Sequence, residues 1–210
     1  MKIKRVFKPD ELNALFEFRQ KMLVYDLHWM SAAGFKLQDK YDRFSHNYAA
    51  YNTQGEIIGS IRLVNDNLFG FPLERLYPLD KYREGKNIVE ACRFSVAKKY
   101  RSTRTFMYLM AAAYQCALLT GSTHMVLDTY LNEEPLYKSF GFERISTPYT
   151  DPEYKRNALV VTMGTSIHAS VAGLNQKKPL ILNMLNQNNN IIEHGNLQYS
   201  KPVFTKSALY

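Results

Sequence analysis

The sequence predicts an α/β fold: one domain built on a mixed central sheet with helices on both faces. Three observations predict it. Strand-length apolar runs alternate with stretches of helical spacing, in the order strand, helix, loop, hairpin, strand, helix, strand, helix and a final hairpin. The chain has 210 residues, 46% of them hydrophobic, enough for one full core. No internal repeat is visible, and nothing divides the first 164 residues into two units.

Lys2 to Phe7 reads as the first strand, stopped by Pro9, and Asp10 caps a helix in which Leu12, Leu15, Phe16, Arg19, Met22 and Leu23 share a face. Arg19 therefore falls within an apolar stripe, where it either finds an anionic partner or snorkels to solvent. Leu27 to Ser45 loses periodicity but keeps Trp29, Phe35, Tyr41 and Phe44, which suits a loop folded over a pocket. Asp39 and Asp42 lie in it. His46 to Asn52 and Glu56 to Val64 form a hairpin turning at Thr53 to Gly55. Arg62 shares a mixed face with Ile58, Ser60 and Val64, as a pocket wall or an edge strand requires. Leu68 to Arg83, with Pro72 and Pro78, reads as a short helix or irregular cover.

The central strand is Ile88 to Val96. Strict alternation sets Ile88, Glu90, Cys92, Phe94 and Val96 on one face and Val89, Ala91, Arg93 and Ser95 on the other, so Glu90 and Arg93 diverge unless a bulge shifts the register. A glutamate among Ile, Cys, Phe and Val is either ion-paired, with Arg19 or Arg62, or poised as a base of raised pKa. A basic loop follows (Lys98, Lys99, Arg101, Arg104), then a helix with Phe106, Leu109, Met110, Ala113, Cys116 and Ala117 on its apolar face, capped by Ser102 or Thr103 and ended by Gly121. Strand, cationic loop and helix N-terminus together suit an anion such as a phosphate. Thr123 to Thr129 is a further strand, Glu133 to Phe140 a short helix, and Phe142 to Ser146 with Ala158 to Met163 a long hairpin. Residues 165–210 form a C-terminal extension: a helix over Ser166 to Asn186, then a polar tail expected to pack poorly beyond about Leu185.

Lys and Arg number 27 against 19 Asp and Glu, an excess of 8 that predicts an acidic partner or substrate. Nucleic acid is disfavoured, because the basic residues are dispersed and no helix-turn-helix, RNP-like or zinc spacing occurs. No metal site is expected. The two cysteines, Cys92 and Cys116, sit in apolar patterns and suit a reducing compartment. No run reaches membrane-spanning length and no signal-peptide core follows the N-terminus, so a cytoplasmic location is expected.

The order of elements and the segment Pro-Leu-Tyr-Lys-Ser-Phe-Gly-Phe at Pro135 to Phe142 resemble the GNAT acyltransferase superfamily. Arg19 with Trp29, Asp39-x-x-Asp42, Arg62 in Ile-Arg-Leu, and Glu90-x-x-Arg93-Phe94 resemble its branch of acyl-homoserine-lactone (autoinducer) synthases and N-acyl amino acid synthases. Ser45-His46 and Phe71-Pro72-Leu73-Glu74 lean toward the latter. The resemblance covers residues 5 to 163. It implies a GNAT-like fold with a mixed, mostly antiparallel sheet, a thioester held beside the central strand and the loop after it, and Tyr137 as general acid. The matching phosphate loop, Arg101 to Phe106, has no glycine where backbone ordinarily approaches a pyrophosphate. An acidic acyl carrier protein docked on Lys98, Lys99, Arg101 and Arg104 fits that departure better than acetyl-CoA does.

The expected enzyme has no permanently bound cofactor and takes an acyl-phosphopantetheine thioester, of acyl carrier protein or CoA, as co-substrate. The acceptor is the amine of an amino acid or similar small molecule. Glu90 is the expected base, and backbone N–H groups at Phe94, Ser95 and Val96 the oxyanion donors. Arg19, Trp29 and Arg62 bind substrate, with Arg93, Asp39 and Asp42 completing an ionic network. Cys92 lacks a histidine partner and is not the expected nucleophile. Lactone synthesis from S-adenosylmethionine and ordinary acetyl transfer are the alternatives.

Overall fold

A computed structural model describes residues 1–32, 38–152, 158–177 and 191–197. The strands are β1 (Lys2–Val6), β2 (Ser45–Tyr51), β3 (Ile57–Asn65), β4 (Ile88–Val96), β5 (His124–Tyr130), β6 (Glu143–Arg144), β7 (Tyr149–Thr150), β8 (Leu159–Ser166) and β9 (Ile192–Glu193). They make one sheet in the order β6-β8-β5-β4-β3-β2-β1-β9, with β7 beside β8. Among the described strands only β4 with β5 and β1 with β9 run parallel. The expected final hairpin is present in shortened form, because the first of its strands breaks into β6 and β7 around Pro148.

Helices cover both faces. α3 (Thr105–Leu119) is apolar almost all round, and Leu109 to Tyr114 are entirely covered. Its run Ala111, Ala112, Ala113 lets it lie close on the sheet, against Ile61, Leu63, Ala91 and Val96. The approach is tight enough to demand glycine opposite: a Cβ at Gly59 would stand 2.9 Å from Leu109 Cδ1. Each fully buried large side chain here contributes about 1.5–3 kcal/mol. The cap differs from expectation. Arg104 occupies the N-cap, while Thr103, one residue earlier, accepts the Thr105 amide at 3.3 Å.

On the other face, α1 (Pro9–Gln20) starts earlier than expected, with Lys8 at the N-cap and Pro9 in the first turn, so Asp10 does not cap it but lies with Glu11 against its N-terminal dipole. It widens into a π-helical turn over Lys21–Asp26, where Leu27 N–H reaches back five residues to Met22 at 2.8 Å. The stretch between β3 and β4 supplies a 3₁₀ turn, Pro72–Arg75, and a four-residue helix α2 (Asp80–Arg83). α4 (Glu134–Lys138) follows β5, and α5 (Ile167–Lys177) follows β8, sinking Ile167 and Val171 into the α3 core.

Residues 191–197 depart from the expected poorly packed tail. β9 adds a parallel strand to β1, Ile192 enters the core, and His194 Nδ1 lies 2.6 Å from the Tyr48 hydroxyl with its Nε2 2.8 Å from Gln115 Oε1. An apolar pair, Ile191-Ile192, beside an open sheet edge is the physical reason. Phe35, Pro179, Leu180 and Leu185 lie outside the described residues.

Candidate active site

β4 is paired with β3 along its length but with β5 over three residues only, Ile88, Val89 and Glu90 against His124, Met125 and Val126. β5 continues along β8 to Tyr130. Past Glu90 the two parallel strands therefore part, and the gap opens into a cavity of about 870 Å³, counting its part open to solvent. Trp29 reaches across its rim to stand edge-on to Tyr130, ring centroids 5.5 Å apart.

The register explains which side chains line it. Pairing passes from Arg62 opposite Cys92 to Ser60 opposite Ser95, so β4 carries one extra residue opposite Ile61. Arg93 absorbs it with φ of +53°, a left-handed conformation costing a non-glycine residue about 1–2 kcal/mol. Strict alternation would send Arg93 away from Glu90. The bulge instead turns it to the Met30 sulfur and to Asp39 Oδ2, at 3.7 Å, and brings Ser95 onto the face of Ser60, Arg62 and Glu90, its hydroxyl 3.1 Å from that of Ser60.

One wall is ionic. Arg62 Nη1 donates to both Asp39 oxygens at 2.9 Å and to Asp42 at 3.1 Å, and its Nε to the Cys92 sulfur at 3.3 Å. Burial works against this charge, but the Cys92 sulfur and the two aspartates outweigh it and raise the Arg62 pKa. Asp39 and Asp42 also bind the loop backbone, accepting the Tyr41 and Asp39 amides. They thus tie the covering loop to β3. Arg19 is 2% exposed, donates to Ser60 Oγ at 3.4 Å, and is pushed down to about 9 by burial and then by Arg62. Nη2 of Arg19 and Nη2 of Arg62 have no hydrogen-bond partner among the described residues.

The base of the gap is different. Glu90, 2% exposed, is in none of the ion pairs among the described residues; Asp39 and Asp42 occupy Arg62, and Glu90 Oε2 accepts the Leu73 amide at 3.1 Å. The expected pairing of Glu90 with Arg19 or Arg62 is not formed. Burial, then Asp128, pushes Glu90 up to about 8. Asp128 stands two residues past Val126, the register partner of Glu90, and faces the same cavity. Burial pushes it up to about 6. Asp128 was not among the sequence candidates, nor was Arg75, which lines the cavity and pairs with Asp151. A signal existed for Asp128: it is the single acid in His124 to Tyr130, as Glu90 is in its own strand.

A further wall is aromatic. Phe94 packs on Phe106 at 4.8 Å, and Phe106 on Tyr137 at 6.2 Å. Tyr137 is 7% exposed and lines the gap, with its pKa raised by burial and then by Glu133. Val96 ends β4, and its carbonyl accepts Arg101 Nε at 3.1 Å, which folds that arginine back onto the strand. Lys98, Lys99 and Arg104 remain exposed beside it. Cys92 is partly buried, and desolvation pushes its thiol up to about 11, so it is a poor nucleophile. Among the described residues no group of His, Cys, Asp and Glu is placed to hold a metal, and no helix is long and apolar enough to cross a membrane.

A model of the N-acyl amino acid synthase FeeM family matches residues 15–166, most of the chain. The chain belongs to that family. It is a GNAT-like acyltransferase of the branch that holds N-acyl amino acid synthases and autoinducer synthases. Its fold is similar to that of FeeM, an N-acyl amino acid synthase from uncultured soil microbes, with a TM-score of 0.66 at 18% identity over 81% of this chain and 92% of that one. TofI, solved in a ternary complex with an inhibitor and MTA, gives 0.66 at 21% identity, covering 83% and 97%. The CoA-dependent acyl-homoserine lactone synthase BjaI, solved with SAM and isopentyl-CoA, gives 0.65 at 18% identity, covering 92% and 93%. At such identities the likeness speaks to the fold of the acyltransferase. No curated protein sequence matches it.

Proposed function

We propose that the acyltransferase moves a long-chain acyl group from the phosphopantetheine thioester of an acyl carrier protein, or of CoA, to the amine of an amino acid or similar small molecule, by direct attack. The gap between β4 and β5 carries this reading: it opens beside the bulged strand, with carboxyl groups at its base that make no ion pair among the described residues and a cationic cluster on one wall. An attacking amine must shed a proton, and Glu90, or a carboxylate coupled to it, is placed to receive one. Arg62 is held by Asp39 and Asp42 and shapes the pocket, and the buried Arg19 guanidinium, bonded to Ser60, is the proposed partner for an acceptor's carboxylate.

In this reading backbone N–H groups of Phe94, Ser95 and Val96 stabilise the oxyanion, and Tyr137, held protonated by burial, serves the leaving sulfur. Trp29 closes the acceptor side. Lys98, Lys99, Arg101 and Arg104 form the docking surface for an acidic carrier protein. The test incubates the purified chain with palmitoyl-carrier protein, palmitoyl-CoA and acetyl-CoA against the twenty amino acids and S-adenosylmethionine, with products read by mass spectrometry. An N-palmitoyl amino acid is expected. A lactone as the sole product moves the assignment to autoinducer synthesis, equal use of acetyl-CoA makes the chain an ordinary acetyltransferase, and no acyl product from any donor rejects acyl transfer to amines.

A further inference from the structure

Resting on that proposed acyl transfer, we infer that Asp128 is the group that takes the proton from the attacking amine, with Glu90 as its protonated partner at the floor of the gap. The geometry separates the two acids. Glu90 is 2% exposed, and one of its oxygens is committed to the Leu73 amide. Asp128 is half-buried, faces the cavity, and is held from behind: Thr162 donates to Oδ1 at 2.8 Å, and the Tyr149 hydroxyl lies 2.8 Å from Thr162 Oγ1. A carboxylate with one oxygen fixed by a hydroxyl and its face toward the cavity is an oriented acceptor.

Protonation divides them the same way. Two acids sharing a site cannot both ionise freely, so the deeper one keeps its proton. Burial raises both, Glu90 to about 8 and Asp128 to about 6, so Asp128 is the acid of the two that ionises first as pH rises. The groups facing Asp128 are Glu90 from β4, Arg75 from the 3₁₀ turn, Tyr149 from β7 and Asp151 just after it, with the Thr162 hydroxyl from β8. Arg75 lowers the Asp128 pKa and Asp151 raises it. Both are smaller influences than burial.

The step balances without another reagent. The amine nitrogen bonds to the thioester carbon while the C=O electron pair moves to oxygen, and the nitrogen gives one proton to Asp128. The oxyanion then re-forms C=O as the C–S bond breaks, its electron pair leaving on sulfur. The proton on Asp128 is the one the thiolate finally carries away, directly or by way of Tyr137.

The experiment measures kcat/KM against pH from 5 to 9 for the wild type, Asp128→Asn, Asp128→Glu and Glu90→Gln, with palmitoyl-CoA and the amino acid turned over fastest. Beyond the slope due to the amine itself, the wild type should show a second limb falling as pH drops through about 6. Asp128→Asn should lose that limb and about 10²–10⁴-fold in rate while still binding palmitoyl-CoA, which reports that it is folded. Asp128→Glu should recover part of the rate and the limb, and Glu90→Gln should keep the limb. Asp128→Asn retaining the limb, or Glu90→Gln abolishing it, overturns the assignment to Asp128 and leaves acyl transfer standing. A wild type that acylates no amine overturns the proposed function and this assignment together.

Discussion

The two sides of β4 place charge in opposite ways. Toward β3 the charges are matched: Arg62 is held by Asp39 and Asp42, Arg93 reaches the same Asp39, and the covering loop is tied down in the process. Toward β5 the strands part, and Glu90 and Asp128 face a cavity with raised pKa values and no ion pair among the described residues. Paired buried charges hold a shape, because losing one partner strands the other, whereas unpaired carboxyls in a cavity are suited to exchange a proton. On the proposed reading the first side shapes the pocket and the second is where bonds change.

The largest effect comes from breaking the matched side. Arg62→Met strands Asp39 and Asp42 beside one another with little solvent, and should lower unfolding stability by about 3–5 kcal/mol in urea titrations. Adding Asp39→Asn should restore part of that loss. If Arg62→Met unfolds as the wild type does, the cluster is not what secures the loop. Next is the unmatched side. Glu90 binds its proton more tightly in the folded chain, at about 8 against an ordinary 4.5, so folding is favoured most below pH 4.5, and the advantage drains away as pH rises to 8. Wild-type stability should fall by on the order of 2–4 kcal/mol over that window through this group. Glu90→Gln should flatten the curve, and an unchanged slope would show that Glu90 ionises freely.

The sequence made one side of this comparison far easier to read than the other. Arg19, Arg62, Asp39 and Asp42 announced themselves by charge in apolar or aromatic surroundings, and the structure gathers Arg62, Asp39 and Asp42 into contact. The parity conflict between Glu90 and Arg93 pointed to a bulge, and the bulge is there. Asp128 carried as plain a signal as Glu90, yet which face of β5 meets β4 is decided by long-range parallel pairing that local alternation cannot report. The parting of the strands past Glu90 is likewise invisible locally, because it depends on how far β5 stays with β8. β9 escaped notice because a two-residue strand has no periodicity to read.

The bulge offers a smaller, sharper test at the boundary between the sides. Arg93 at φ of +53° has no glycine to relieve it, so Arg93→Gly should be about 1 kcal/mol more stable than Arg93→Ala, since both lose the guanidinium and only glycine relieves the backbone. Equal denaturation midpoints would mean that the left-handed residue carries no strain.

The smallest effect should come from charges outside the gap altogether. Lys98 and Arg104 are exposed, and Arg101 is excluded from the test because its Nε is engaged with the Val96 carbonyl. Lys98→Glu with Arg104→Glu should leave stability within about 0.5 kcal/mol of the wild type, as surface substitutions away from buried networks do. It should raise KM for palmitoyl-carrier protein by roughly tenfold at low salt, because rim charges act chiefly on encounter. The difference should shrink as salt is raised toward molar levels and screening shortens to about 3 Å. A rise in KM for palmitoyl-CoA with none for the carrier protein would assign these cations to a bound nucleotide's phosphates. The basic loop would then belong to the inner site, next to the α3 N-terminus, and not to a protein-docking surface.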